Sequence, residues 1–321
     1  MKKFASLLLA LALVITCLSS LAFAADPIAT VTTGDKTVEV TTIPDLTKAI
    51  SPSGLSVVTF LKDIEYNDSS IDLPYSCTVD LGGHTIKTNP AKHNGFTING
   101  VGEENKVTTI KNGTLVYNYY GVRVNAGGIV LSDMIMHGLF AECVTLYVTA
   151  PDFNDNNLIE NCVLLCDEWG SICWNEKDTD YSKTKITIRD TDLISRHPSG
   201  VALIDVGQGD CVGGTVELGT GVNFYAFMTR SYVGSSVKLT GEAVTLVEEK
   251  TATVEIPELG LKIEKLNKWS TPATPIPVEP EVPATPAVPE APVPTTGVSV
   301  TALGIMAVVS LAGAAVASKK H

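Results

Sequence analysis

Arginine is scarce in this chain, and so is charge of any kind. The arginines are Arg123, Arg189, Arg196 and Arg230, and charged residues make up 18% of 321 positions. The 23 basic residues are outnumbered by 35 acidic ones, giving a formal net charge of −12. Setting aside Lys2, Lys3, Lys319 and Lys320 at the extreme ends leaves about −16. A balance of that sign argues against nucleic acid and anionic lipid head groups as partners. No Cys-x-x-Cys occurs, and His137 and His197 are remote in sequence from Cys162, Cys166 and Cys173, so zinc is poorly supported. Helical pattern is nearly missing as well. Only 44–50 reads as a short helix, with Pro44 in its first turn and Gly54 stopping the chain soon after. The low charge leaves enough apolar material for a sizeable core.

What the chain does have stands first at its two ends. Lys2 and Lys3 precede a mostly apolar run from Phe4 to Leu21, and Ala22-Phe23-Ala24 follows as a small-residue cleavage site. This is the pattern of a secretory signal peptide over 1–24. Near the other end stand Val293, Pro294, Thr295, Thr296 and Gly297, then 21 uncharged residues from Val298 to Ser318, then Lys319, Lys320 and His321. An uncharged stretch of that length spans roughly 30 Å as a helix, the thickness of a hydrocarbon core. The basic end is expected to stay cytoplasmic. This three-part tail resembles the cell-wall sorting signal of Gram-positive surface proteins, with Val293 in place of the usual Leu. The resemblance implies sortase and peptidoglycan as partners, with cleavage between Thr296 and Gly297 and covalent attachment through Thr296. The other reading is a plain membrane anchor over 298–318.

Residues 271–292 form a Pro-rich linker, and the proline-dense run from Thr271 to Thr296 has a reach of roughly 80 Å as an extended polyproline helix. The segment before it, 25–270, is all-β by pattern, with short runs rich in Val, Ile and Thr broken by Gly, Asn and Asp. An imperfect repeat runs through it. Leu81-Gly82-Gly83-His84-Thr85-Ile86 aligns with Ile110-Lys111-Asn112-Gly113-Thr114-Leu115, and further copies begin at Leu131, Ile159, Ile188, Leu218 and Leu239. Their third positions are Gly83, Asn112, Asp133, Asn161, Asp190, Thr220 and Gly241, at spacings of 29, 21, 28, 29, 30 and 21 residues. Repeats of this length are a solenoid signature. Gly, Asn and Asp tolerate the left-handed backbone that a sharp corner between two strands demands.

The repeat predicts a right-handed parallel β-helix, with parallel strands over 78–246 and Ile110, Leu131, Ile159 and Ile188 stacked inward. The runs 78–86 and 109–115 resemble the opening coils of pectate-lyase-like β-helix proteins, and the 44–50 helix with the 55–62 strand fits their N-terminal cap. An antiparallel β-sandwich is the alternative, because short apolar runs suit both.

The resemblance implies fold and leaves activity open. Related enzymes use calcium with an arginine base, or clustered aspartates. The best calcium candidate is the oxygen-rich stretch 152–157, which reads equally well as a polar turn. No cofactor is expected on other grounds. Asp205 and Asp210 flank Gly207-Gln208-Gly209 and form the nearest thing to a carboxylate pair. No pair stands in a recognisable catalytic motif. Trp169 and Trp174, with Tyr117, Tyr119 and Tyr120, form an aromatic group of the kind that stacks on sugar rings, though Trp174 also suits an interior position. Six cysteines survive export, Cys77, Cys143, Cys162, Cys166, Cys173 and Cys211. They are expected as mostly buried free thiols with at most one bridge. Two functions stay open: a non-catalytic surface protein binding glycan or host matter, and a wall-anchored polysaccharide lyase or glycoside hydrolase.

Overall fold

Short strands separated by left-handed residues fold this chain into stacked coils. The structure, a computed structural model, describes residues 25–88, 93–103, 106–147, 157–177, 179–198, 202–207, 211–227, 233–234 and 236–273. The segments read as signal peptide (1–24) and sorting motif (293–297), the apolar span 298–318 and the basic tail lie outside the described residues. Among the described residues no helix is long and apolar enough to cross a membrane. The fold is all-β, solenoid-like and built mainly of parallel strands.

Each coil contributes three short strands, one to each of three parallel ladders. The first ladder runs through Ser56–Phe60, Cys77–Asp80, the opening halves of Val107–Tyr117 and Gly128–Gly138, then Asn157–Glu160, Lys185–Arg189, Thr215–Leu218 and Lys238–Gly241. The second runs through Ile64–Tyr66, Thr85–Thr88, the closing halves of the two long strands, Val163–Cys166, Asp192–Ser195 and Asn223–Ala226. The third is a separate sheet of three-residue strands: Ile71–Leu73, Phe96–Ile98, Val122–Val124, Val144–Leu146, Ile172–Trp174 and Ile204–Val206.

The predicted inward stack is present. Ile110 pairs in register with Leu131, Leu131 with Ile159 and Ile159 with Ile188, and all four are fully buried. A second file, Ile86, Leu115, Met136, Leu164, Leu193 and Phe224, lines the next wall. Each such side chain contributes about 1.5–3 kcal/mol of hydrophobic burial.

The corners follow the repeat. Asn112, Asp133, Asn161 and Asp190 have φ of 60°, 54°, 52° and 47°, and Gly83 has φ of 80°. Adjacent corners are also tied together. Asn112 Nδ2 donates to Asp80 Oδ1 at 3.1 Å, and Asn161 Nδ2 donates to Asp133 Oδ1.

The last two copies need correction. In the copy beginning at Leu218 the left-handed residue is Gly221 (φ 71°), one position after Thr220. Leu218 pairs with Ile188 but Asn223 pairs with Asp192, so this corner is one residue longer. A β-branched Thr resists the left-handed region, and the corner passes to the glycine beside it. In the final copy Leu239 pairs with Val216, and Leu218 pairs with Gly241, so the alignment there is two residues out of register.

Parallel pairing ends at Gly241 and does not reach Leu246. Thr245–Ile256 and Leu261–Ser270 form an antiparallel hairpin, turned by Pro257–Leu259 and Gly260, and the second of these strands lies antiparallel to Asn223–Ala226. Its apolar face (Ala252, Val254, Ile256, Ile263 and Leu266) packs on Leu165, Ile194 and Tyr225. The hairpin therefore covers the outer side of the second ladder. At the N-terminus Ala29–Thr33 lies antiparallel to both Lys36–Val40 and Ser56–Phe60. The helix spans Ile43–Ala49, one residue ahead of the predicted range, and Thr42 Oγ1 caps it by accepting from Asp45 N at 3.2 Å. Thr271 and Pro272, read as the start of the linker, belong to the fold. Thr271 N donates to Val222 O at 3.0 Å, and Pro272 O accepts from Gly221 N at 2.7 Å.

Candidate functional site: the polar outer face of the third sheet

The outer side of the third sheet is polar along its length. Its flanking positions, such as Phe96 and Ile98 or Val144 and Leu146, point into the core. The middle residues must then face outward, because successive strand residues alternate. They form one register file: Asp72, Thr97, Arg123, Thr145, Cys173 and Asp205. The backbone ladder continues through Asn99, Asn125, Tyr147, Asn175 and Gly207, two residues further along each coil. Tyr120 and Glu142 enter the sheet side by side, with Gly121 N donating to Glu142 O at 2.9 Å.

Two features stand on this face. The first is a hydroxyl and amide cluster. Tyr120 and Tyr147 share a hydrogen bond of 3.0 Å between their hydroxyls, and Asn175 Nδ2 donates to both, at 3.0 and 2.9 Å. The Arg123 guanidinium lies 4.0 Å from the Tyr147 ring centre, and its Nε donates to Asn125 Oδ1 at 2.9 Å. Burial raises the pKa of both Tyr120 and Tyr147.

The second is a cleft of about 200 Å³ bounded by Glu142, Trp169, Gly170, Ile172, Cys173, Asp205, Val206 and Gly207. Glu142 is only 6% exposed, and its Oε2 accepts from Thr145 Oγ1 at 3.5 Å. Burial raises its carboxyl pKa, and the charge of Asp205 adds to the shift. Burial raises Asp205 as well, against a hydrogen bond of 2.7 Å from Val206 N. Cys173 is held well above an ordinary thiol by burial and then by Glu142 and Asp205. Two larger clefts, of about 540 and 510 Å³, border the N-terminal helix and hairpin, but their charged lining residues are exposed.

The structure divides the aromatic group. Trp174 and Tyr117 are corrected: both are fully buried and present no ring to a ligand. Trp174 Nε1 donates to Thr184 Oγ1 at 2.9 Å inside the core. Tyr119 stacks on Phe140, with ring centres 5.9 Å apart, and Tyr120 is covered, with its hydroxyl in the cluster above. Trp169 is 47% exposed and forms one wall of the cleft.

The other candidates fare differently. Residues 152–156 lie outside the described residues, and Asn157 is buried, with its Oδ1 accepting from Ile129 N at 2.8 Å. Among the described residues no group of three or more His, Cys, Asp or Glu is placed to hold a metal ion. Asp210 lies outside the described residues, and the carboxylate that influences Glu142 is Asp205. Arg189 is engaged by Glu160, with Nε donating to Oε2 at 2.8 Å, on an exposed face. Cys77, Cys143, Cys162, Cys166, Cys173 and Cys211 are buried free thiols. Comparison with known proteins returns no matching family model, no matching curated protein and no matching solved structure.

Proposed function

We propose that this is a sortase-anchored cell-surface protein whose right-handed parallel β-helix presents a non-catalytic carbohydrate-binding face. Export and anchoring rest on the signal-peptide pattern and on the Val293–Gly297 motif with its apolar span and basic end. The binding reading is carried by one observation: the cleft on the outer side of the third sheet holds Trp169 beside the buried Glu142 and the half-buried Asp205. A half-exposed indole offers rigid apolar area to a sugar ring, and flanking carboxylates accept from its hydroxyls.

Glycoside hydrolysis is the second reading, favoured by Glu142 and Asp205 sharing the cleft. Such catalysis needs one carboxyl protonated and its partner ionised, in environments that push the two pKa values apart. Here burial pushes both the same way. The pair stands in no recognisable catalytic motif, and binding is therefore the first reading.

The test is a glycan array probed with the full chain, followed by an assay for reducing ends. Binding that is lost in Trp169→Ala without release of reducing ends supports the proposal. Chain cleavage abolished by Glu142→Gln supports the hydrolase. An array with no binding at all overturns both.

A further inference from the structure

The cleft on the third sheet is rich in acceptors and, among the described residues, has no counter-charge. Glu142 and Asp205 line it, and among the described residues no lysine, arginine or histidine forms an ion pair with either. Arg123, the one cation in the outward file, is occupied by the Tyr147 ring and by Asn125. A third acceptor stands behind the wall. Asn175 is 6% exposed, and its Oδ1 has no hydrogen-bond partner. It is directed at Gly207, where a Cβ would come within 2.4 Å of that oxygen and 3.0 Å of Cys173 Sγ. Gly207 lines the cleft, and its lack of a Cβ lets that oxygen rest directly against the wall. A buried acceptor without a donor is destabilising, so a donor brought to this wall is favoured.

We propose that this cleft takes a ligand bearing a protonated primary amine, in carbohydrate terms a hexosamine whose nitrogen is not acetylated. The inference deepens the carbohydrate-binding reading and rests on it. An ammonium group supplies three donors and a positive charge to a site composed of acceptors, and its stem packs along the indole of Trp169. A neutral sugar leaves both carboxylates uncompensated, and an acidic sugar adds a like charge. A bare divalent cation is poorly served: Cys173 beside the pair is a buried thiol held well above its ordinary pKa, and among the described residues no group of three or more His, Cys, Asp or Glu is placed to hold a metal ion.

The full chain is titrated calorimetrically at physiological ionic strength with the β-1,4-linked disaccharide of glucosamine, with its N-acetylated counterpart, with cellobiose and with calcium chloride. The glucosamine disaccharide should bind at least about tenfold more tightly than the other two sugars. Glu142→Gln and Asp205→Asn should each remove about tenfold of that preference. Glu258→Gln, an exposed acid on the hairpin turn, should leave it unchanged and so excludes a general attraction to an acidic protein. Circular dichroism of each variant checks that the coils remain folded. Equal affinity for free and acetylated amines, or preference insensitive to Glu142 and Asp205, overturns the inference and leaves the carbohydrate reading standing. Calcium binding that is lost in the same two variants, without amine binding, also overturns it. Failure of every sugar in this set and on the array sinks the carbohydrate reading itself.

Discussion

The sulfur of Cys143 lies 3.3 Å from the sulfur of Cys166, across neighbouring coils and inside the core. The Tyr117 hydroxyl lies 4.0 Å from Cys166 Sγ, and burial holds Cys166 far above the ordinary thiol range. A folded thiol in that state reacts slowly, because the thiolate is the nucleophile. Closing the bond requires an S–S separation of about 2.0 Å, a small movement of one coil. Refolding with oxidised glutathione should therefore join Cys143 to Cys166, releasing reduced glutathione, ahead of Cys77, Cys162, Cys173 and Cys211. Peptide mapping by mass spectrometry checks the pairing. The bridged chain should gain about 3 kcal/mol, the usual gain for a loop of this size.

Native thiol reactivity should otherwise be negligible. Burial raises Cys77 and Cys162 to about 12, and all six described cysteines are covered. Colorimetric thiol titration at pH 8 should detect almost nothing until denaturant is added. Rapid labelling of the native protein would contradict the packing described.

Asn161→Val should be destabilising by about 2 kcal/mol, because a β-branched residue is strained in the left-handed region and the bond to Asp133 is lost. Asn161→Gly should restore most of the loss. Chemical denaturation of the three proteins measures both effects, and equal midpoints for the Val variant and the parent would refute the corner assignment.

Glu142→Gln should change how stability depends on pH. The folded-state pKa of Glu142 is raised, so its contribution is fully present below the ordinary glutamate value of about 4.3 and is lost as pH rises through the raised value. The Gln variant lacks that loss. Its melting temperature should match the parent near pH 4 and exceed it at pH 8. Scanning calorimetry at the two pH values decides the sign.

In a host with a matching sortase, wall-bound material should end at Thr296 linked to peptidoglycan. Thr296→Ala should leave uncut protein in the membrane. Mass spectrometry of muramidase-digested walls provides the check, and an intact C-terminus through His321 would leave a membrane anchor alone.

Much of the coil architecture was legible in the sequence, because each corner imposes a residue type. Asn112, Asp133, Asn161 and Asp190 satisfy the left-handed requirement with side chains small enough to recur visibly. The signal fails where the fold stops repeating. At Leu239 the register slips, and the hairpin after it was missed, although Ala252, Val254 and Ile256 alternate with exposed residues and Pro257 and Gly260 mark a turn. The cleft was half legible. Trp169 and Asp205 were singled out, but Glu142 was not. It belongs to no motif, and it meets Asp205 only because two coils of different length stack in register. No spacing rule exposes that. Tyr117 was misplaced, and Trp174 took the interior position that the sequence had left open, because an aromatic ring reads the same on paper whether it faces water or the core.

The antiparallel strands at the two ends have a consequence for copies held close together. A run of parallel coils is an open template, since its final rung presents unpaired amides to any similar chain. In this molecule 29–33 and 36–40 close the first ladder at its start, and 261–270 closes the second at its finish. The outermost N-terminal strand carries Lys36 and Glu39, charges that discourage further addition. Neighbouring copies, at any concentration, meet chain reversals at these two edges in place of matching rungs. Those reversals oppose growth into filaments and favour a lawn of separate molecules.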